Sequence, residues 1–309
     1  MKTALGKALA WLHVAFVRRL ESCLSPDTLY AVVCPYFLMR AIFNNLFKRS
    51  LPQPPAPDFL RTPRNFRTRV RERMNIYLDE VLHNFYDRLN QPKWLSRFEI
   101  VGLEHLEAAR RSGRPVILVY WHFGTYPLLP GWMKRAIDYP LIPFVGGISS
   151  KRKVLARMQD QYLSRPDVPI LVQADQLREL VRWVKGTNLI YIAIDVPISK
   201  QVTVPFCDGW DFQLTSGPFR LANQFGADLI ACGLTREGPW RYRMFFSRPA
   251  PRELLADETD GHPAAGRHLI AEMLPEFKSR PEECQDAMIQ RLTRRKSGAE
   301  IQNSPLNRS

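Results

Sequence analysis

A histidine and a carboxylate each stand directly after an apolar run. His122 follows Pro115-Val-Ile-Leu-Val-Tyr-Trp121, and Asp195 follows Leu189-Ile-Tyr-Ile-Ala-Ile194. A neutral imidazole can accept a proton near neutral pH. A carboxylate on its other nitrogen fixes the tautomer and stabilises the imidazolium. The two residues are therefore candidates for a base and its supporting acid; the other readings are a satisfied structural histidine for His122 and a strand-end or turn carboxylate for Asp195. Gly124 lets the backbone come close to a ligand or serves a tight turn, and Thr125 and Tyr126 add hydroxyls beside it. Thr215-Ser216-Gly-Pro leads into a helical pattern. A hydroxyl there caps the helix, or the free N–H groups hold an anion. Arg220 lies one turn further, where it meets phosphate or solvent. Lys151, Arg152, Lys153 and Arg157 form a basic stretch after Gly146-Gly-Ile-Ser-Ser150, either an anion-handling surface or a solvated face.

These residues need elements to carry them. Helical spacing predicts helices over Phe66–Leu89, Leu103–Arg111, Leu128–Ile137, Lys151–Leu163, Leu177–Lys185, Gly217–Phe225, Ala264–Lys278 and Glu282–Arg295. Short apolar runs predict strands at 98–101, 115–121, Leu141–Val145, Val168–Val172, Leu189–Ile194, Asp228–Leu234 and Tyr242–Phe246. Strands alternating with helices argue for an α/β fold, a mainly parallel central sheet flanked by helices. In such sheets the chemistry sits beyond the carboxyl ends of the strands, where His122 and Asp195 both fall. There is no internal repeat, P-loop or G-x-G-x-x-G motif.

The chain has 309 residues, a formal charge of +14, 45% hydrophobic and 24% charged residues. That balance builds a globular core, and the charge seeks polyanions such as anionic lipid, an acidic protein or nucleic acid. No nucleic-acid motif is present and the aromatics fall mainly in apolar elements, so nucleic acid is not the expected partner. Five cysteines form no C-x-x-C pair, so neither a zinc site nor a disulfide framework is readable. A reducing compartment is expected, with no metal and no bound redox cofactor.

Near the start, Ala8–Val17 is interrupted by His13, is followed by Arg18 and Arg19, and carries no small-residue cleavage site. The next apolar stretch, Tyr30–Phe47, contains Pro35, Arg40, Asn44 and Asn45, too polar for a clear spanning helix. Basic and aromatic residues together suit a helix lying in the membrane interface. The expected organisation is a membrane-associating helical segment at 1–48, a proline-rich connector at 49–65, a catalytic domain at 66–295 and a polar tail at 296–309.

Three segments in order carry a family resemblance. Glu104 to Tyr126 reads EHLEAARRSGRPVILVYWHFGTY; Leu180 to Asp195 runs through a Lys-Gly turn and an apolar strand to an acid; Val204-Pro-Phe-Cys-Asp-Gly leads on to Thr215-Ser-Gly-Pro-Phe-Arg-Leu-Ala. The chain resembles the bacterial acyltransferases that complete lipid A and the related lysophospholipid acyltransferases, over roughly residues 68–250 with an echo at Arg280-Pro-Glu-Glu. The resemblance implies a glycerolipid acyltransferase-like fold. It implies transfer of a fatty acyl chain from acyl carrier protein or coenzyme A to a hydroxyl or amine of a lipid or glycolipid. His122 would be the general base, and Gly124, Thr125, Lys151, Arg152, Thr215, Ser216 and Arg220 would line the substrates. The expected location is the cytoplasmic face of the bacterial inner membrane, against its anionic surface. The family pattern places Asp or Glu five residues after the histidine, and this sequence has Pro127 there. Asp195 is the candidate replacement; a backbone carbonyl could instead hold the ring, or the fold could serve as a membrane-bound lipid-binding scaffold without catalysis.

Overall fold

Apolar runs too short for helices become the strands of the central sheet. The computed structural model describes residues 15–46, 54–61, 65–83, 88–136, 141–145, 172–173, 177–186, 189–197, 200–256 and 262–295. The helix expected over 151–163, most of the strand expected over 168–172, and both Lys151 and Arg152 lie outside the described residues.

The strands are β1 (Phe98–Val101), β2 (Val116–Tyr120), β3 (Leu141–Val145), β4 (Val172–Gln173), β5 (Leu189–Ala193), β6 (Gln201–Cys207), β7 (Trp210–Thr215), β8 (Asp228–Gly238), β9 (Arg241–Phe246) and β10 (Leu292–Arg294). The larger sheet has the order β1-β9-β8-β2-β5-β3-β4. Its neighbours are parallel except for the β8–β9 pair. β5 is buried along its whole length and β2 at all but its last residue, as strands covered on both faces must be.

Side chains alternate between faces along a strand, and the two cores follow that alternation. Ile117, Val119, Ile190 and Ile192 pack against Leu180 and Val184, against Phe219, and against Leu269, Met273 and Phe277. These come from the helices Leu177–Lys185, Gly217–Phe225 and Pro263–Ser279. Val116, Leu118, Leu189 and Tyr191 face the opposite way. They meet Val33 and Phe37 of the Pro26–Leu46 helix, Leu78 and Val81 of Phe66–His83, Leu106 and Trp132.

Residues 15–46 are part of this body. Glu21 is fully buried and accepts from Arg88 Nη1 at 2.5 Å, Lys93 Nζ at 2.8 Å and Trp94 Nε1 at 3.0 Å. Burial pushes its pKa up, but these donors outweigh that and hold it below the ordinary value. Asp27 takes a two-pronged contact from Arg97 at 2.7 and 2.5 Å. The Pro26–Leu46 helix thus packs Leu29, Val33, Phe37 and Ala41 inward and leaves Val32, Tyr36, Met39, Phe43 and Leu46 exposed.

Two features differ from the sequence expectation. Residues 282–295 do not form one helix. They divide into a 3-10 turn Pro281–Glu283, a single helical turn Asp286–Ile289 and strand β10. The Gln213 N–H donates to the Arg291 carbonyl at 3.0 Å and β10 pairs with β7, so tertiary pairing overrides helix propensity. The second difference is a small antiparallel sheet, β10-β7-β6. The alternating burial of β6 matches a strand with one face on the core.

Candidate active site

Strand register brings His122 to Asp195. β2 and β5 are adjacent and parallel, with Tyr120 opposite Ala193. His122 and Asp195 each lie two residues beyond that pair, and the Ile194 N–H donates to the Tyr120 carbonyl at 2.9 Å. The two side chains therefore leave neighbouring strand ends at the same level, at the carboxyl edge of the sheet.

Their contact is double. The His122 backbone N–H donates to Asp195 Oδ2 at 2.7 Å, and the ring Nδ1 lies 2.7 Å from Oδ1. The Asp195 side chain is fully covered, while the His122 side chain keeps 13% exposure. An ionised carboxylate only accepts hydrogen bonds, so with such a partner Nδ1 is the donor, and in a neutral imidazole Nε2 then carries the lone pair. Among the described residues, Nε2 has no hydrogen-bond partner. A hydrogen bond to a charged group is worth about 1.5–3 kcal/mol, and two of them offset the cost of burying this carboxylate.

Tyrosines line one side of the imidazole. The Tyr126 ring meets His122 edge-on at 4.9 Å between centroids, and stacks on Tyr120 at 5.2 Å; Tyr120 stacks on Tyr191 at 4.0 Å. The Tyr191 hydroxyl donates to the Tyr126 carbonyl at 3.0 Å. Burial, helped by the charge of Asp195, pushes the Tyr126 phenol up to about 12, and burial pushes Tyr120 and Tyr191 well above their ordinary value. All three phenols stay neutral at physiological pH.

The backbone after His122 is held tightly. Gly124 has φ +64, and a Cβ there would stand 2.2 Å from the Leu234 carbonyl oxygen. The chain that approaches this glycine is the protein's own β8. Thr125 is buried and its N–H donates to the same Leu234 carbonyl at 2.7 Å. Pro127 is the second residue of the 3-10 turn Tyr126–Leu128, within the first turn, where a missing N–H costs no helical hydrogen bond.

Thr215 and Ser216 come to the same region, and both are buried. The Thr215 N–H donates to the Ile194 carbonyl at 2.8 Å, directly before Asp195, and the Ser216 N–H donates to the Lys200 carbonyl at 2.8 Å. Those two amides are therefore occupied by the protein. Ser216 stands before the Gly217–Phe225 helix without a side-chain capping bond, and among the described residues its buried Oγ has no hydrogen-bond partner. Arg220 lies on the exposed face of that helix.

Two residues near the pair have no mark in the sequence. Gln285 reaches the backbone of the His122 loop: its N–H donates to the His122 carbonyl at 2.9 Å and its Nε2 to the Gly124 carbonyl at 3.2 Å. Arg291 donates to Gln213 Oε1 at 3.1 Å and to Gln201. Burial lowers its pKa while the charge of Asp195 opposes that. Among the described residues, no group of three or more His, Cys, Asp or Glu side chains is placed to hold a metal ion.

The family of bacterial lipid A biosynthesis acyltransferases matches residues 84–282. The matched span includes His122, Asp195, Thr215, Ser216 and Arg220, and ends before Gln285 and Arg291. None of the curated proteins matches the chain. Among solved structures, the 1-acyl-sn-glycerophosphate (LPA) acyltransferase PlsC from Thermotoga maritima is similar. The likeness has 14% sequence identity, covers 85% of this chain and 98% of that one, and has a TM-score of 0.40.

Proposed function

Because the chain belongs to the bacterial lipid A biosynthesis acyltransferase family, whose reaction is acyl transfer to a lipid, we propose that His122 is its general base and Asp195 replaces the acid absent at Pro127. The observation that carries this reading is the 2.7 Å contact between His122 Nδ1 and a fully covered Asp195 carboxylate. That contact supports the relocated-acid reading over a backbone partner for the ring.

The reaction follows from the pair. A hydroxyl or amine of the lipid or glycolipid acceptor donates a hydrogen bond to Nε2. As its oxygen or nitrogen attacks the thioester carbonyl, the proton passes to Nε2 and Asp195 stabilises the imidazolium. The tetrahedral intermediate then collapses. The carbon–sulfur bond breaks, and the departing sulfur takes the proton from Nε2 and leaves as the thiol of acyl carrier protein or coenzyme A. The Thr215 N–H bonds the Ile194 carbonyl directly before Asp195, and Thr215 and Ser216 contribute to the substrate pocket. Lys151, Arg152 and Arg220 supply positive charge for the phosphorylated acceptor or an acidic carrier protein.

The same reading places the protein on the cytoplasmic face of the bacterial inner membrane. The Pro26–Leu46 helix has 21 residues and a mean hydropathy of 1.2 over its most apolar window. One face is committed to the protein core, so the opposite face suits an interfacial position rather than a spanning one. The net charge of +14 favours anionic lipid.

Purified protein assayed with acyl carrier protein and coenzyme A thioesters, on lipid and glycolipid acceptors, tests the proposal. Transfer that falls by roughly 10²–10⁴-fold in His122→Ala, with the fold intact, is the expected result. Undiminished transfer by that variant rules out the base. No transfer by the wild type with any of these pairs would favour a non-catalytic lipid-binding role.

A further inference from the structure

We infer that Gln285 is a positioning residue for the catalytic histidine, through a C-terminal strap that holds the His122 loop by its backbone. The inference rests on His122 acting as the base. Residues 283–285 run antiparallel to residues 122–124, with Phe123 opposite Cys284. The Gly124 N–H donates to the Glu283 carbonyl at 2.9 Å, and the Gln285 N–H donates to the His122 carbonyl at 2.9 Å. The Gln285 side chain adds a third bond, Nε2 to the Gly124 carbonyl at 3.2 Å. Cys284 is buried between Phe123 and the rest of the core.

The strap completes a cage around a short loop. Asp195 takes the His122 N–H, Leu234 takes the Thr125 N–H, and the strap takes the Gly124 N–H and supplies both carbonyls, His122 and Gly124, with donors. The Phe123 N–H on the Trp121 carbonyl at 2.6 Å and the Phe123 ring edge-on to Phe277 add to this hold; within it Gly124 sits at φ +64, and the local acid of the family pattern is replaced by Pro127. His122 can meet Asp195 through both its backbone and its ring only while its φ and ψ stay fixed. A rotation of that backbone would carry Nδ1 away from Oδ1. The residue that fixes the His122 carbonyl stands 163 positions away in sequence and beyond the matched span of residues 84–282.

Two substitutions separate the contacts. Gln285→Ala removes only the amide bond to Gly124. Gln285→Pro also removes the N–H that holds the His122 carbonyl. The backbone already suits proline there, with φ −79 at Gln285 and φ −75, ψ 112 at Cys284. The first readout needs no substrate: the NMR signal of the His122 Nδ1 proton in the full chain, and the pH titration of that imidazole. Loss of one neutral hydrogen bond should speed exchange of this proton roughly two- to tenfold in Gln285→Ala, with a larger change and a displaced titration in Gln285→Pro. The second readout is kinetic. Misplacement of a catalytic group by about 1 Å costs up to about 10²-fold, so kcat should fall by roughly 10- to 100-fold in Gln285→Pro while KM stays within about twofold. An unchanged His122 signal and unchanged kcat in Gln285→Pro would overturn the inference. Should Gln285→Pro unfold, an unchanged His122 exchange rate in Gln285→Ala overturns it instead. The NMR result stands even where the wild type shows no acyl transfer, so failure of the catalytic reading and failure of this one are told apart.

Discussion

Removing the exposed apolar stripe of the Pro26–Leu46 helix should release the protein from membranes. Val32, Tyr36, Met39, Phe43 and Leu46 recur at spacings of four and three, one face of a helix. They remain 51%, 56%, 54%, 63% and 50% exposed. Full burial of such a side chain is worth about 1.5–3 kcal/mol, and about half of each is already covered, so lipid contact gains roughly 1 kcal/mol per residue. Replacing Tyr36, Met39 and Phe43 together by Ser removes about 3 kcal/mol, which is roughly a hundredfold in partition. None of the three is in the buried core, so the melting temperature should hold. The assay is cosedimentation with vesicles containing anionic lipid, across a range of salt. High salt should weaken wild-type binding only in part, because apolar burial is not screened. Equal binding by the triple variant, or complete release of the wild type by salt, would refute the reasoning.

Two stability predictions follow from single positions. Gly124→Ala places a Cβ against the Leu234 carbonyl at a left-handed φ, so it should destabilise the fold by at least about 1–3 kcal/mol, measured by denaturant unfolding. Glu283 is pushed by burial from its ordinary 4.5 to about 7. The native state therefore binds that proton more tightly than the unfolded chain, and its contribution is complete below about pH 4.5 and lost as pH rises to about 7. Glu283→Gln should remove this slope, up to about 3 kcal/mol between pH 4.5 and pH 8; identical pH profiles for the variant and the wild type would contradict the assignment.

His122 and Asp195 stand out in the sequence as a candidate pair, while the strand order that brings them together does not. Apolar runs ending at His122 and Asp195 mark two buried strands whatever the rest of the chain does. Their separation of 73 in sequence says nothing about whether β2 and β5 are neighbours, or that Tyr120 lies opposite Ala193; strand order decides that. Gly124 reads as a tight turn from sequence, while the Leu234 carbonyl that demands it comes from β8. Gln285 gives no signal, being a neutral residue in a stretch rich in helix formers. The same composition makes 282–295 look like a helix, although pairing with β7 draws Leu292–Arg294 into a strand. The Pro26–Leu46 helix is ambiguous by composition, because a face packed on protein and a face open to lipid use the same apolar residues.

The most direct test of the relocated acid is a double-mutant cycle in acyl transfer across His122→Ala and Asp195→Asn. Asn at position 195 cannot accept from both the backbone N–H and Nδ1–H as the carboxylate does. The imidazole would then lose the tautomer that leaves Nε2 free, and spoiling such a carboxylate lowers turnover by about 10⁴-fold in a hydrolase triad. Residues that act as one unit are non-additive. The expected loss for Asp195→Asn approaches, without exceeding, the roughly 10²–10⁴-fold loss of His122→Ala, and the double variant is no slower than His122→Ala alone. Multiplying losses in the double variant, or an Asp195→Asn variant that turns over like the wild type, would contradict it.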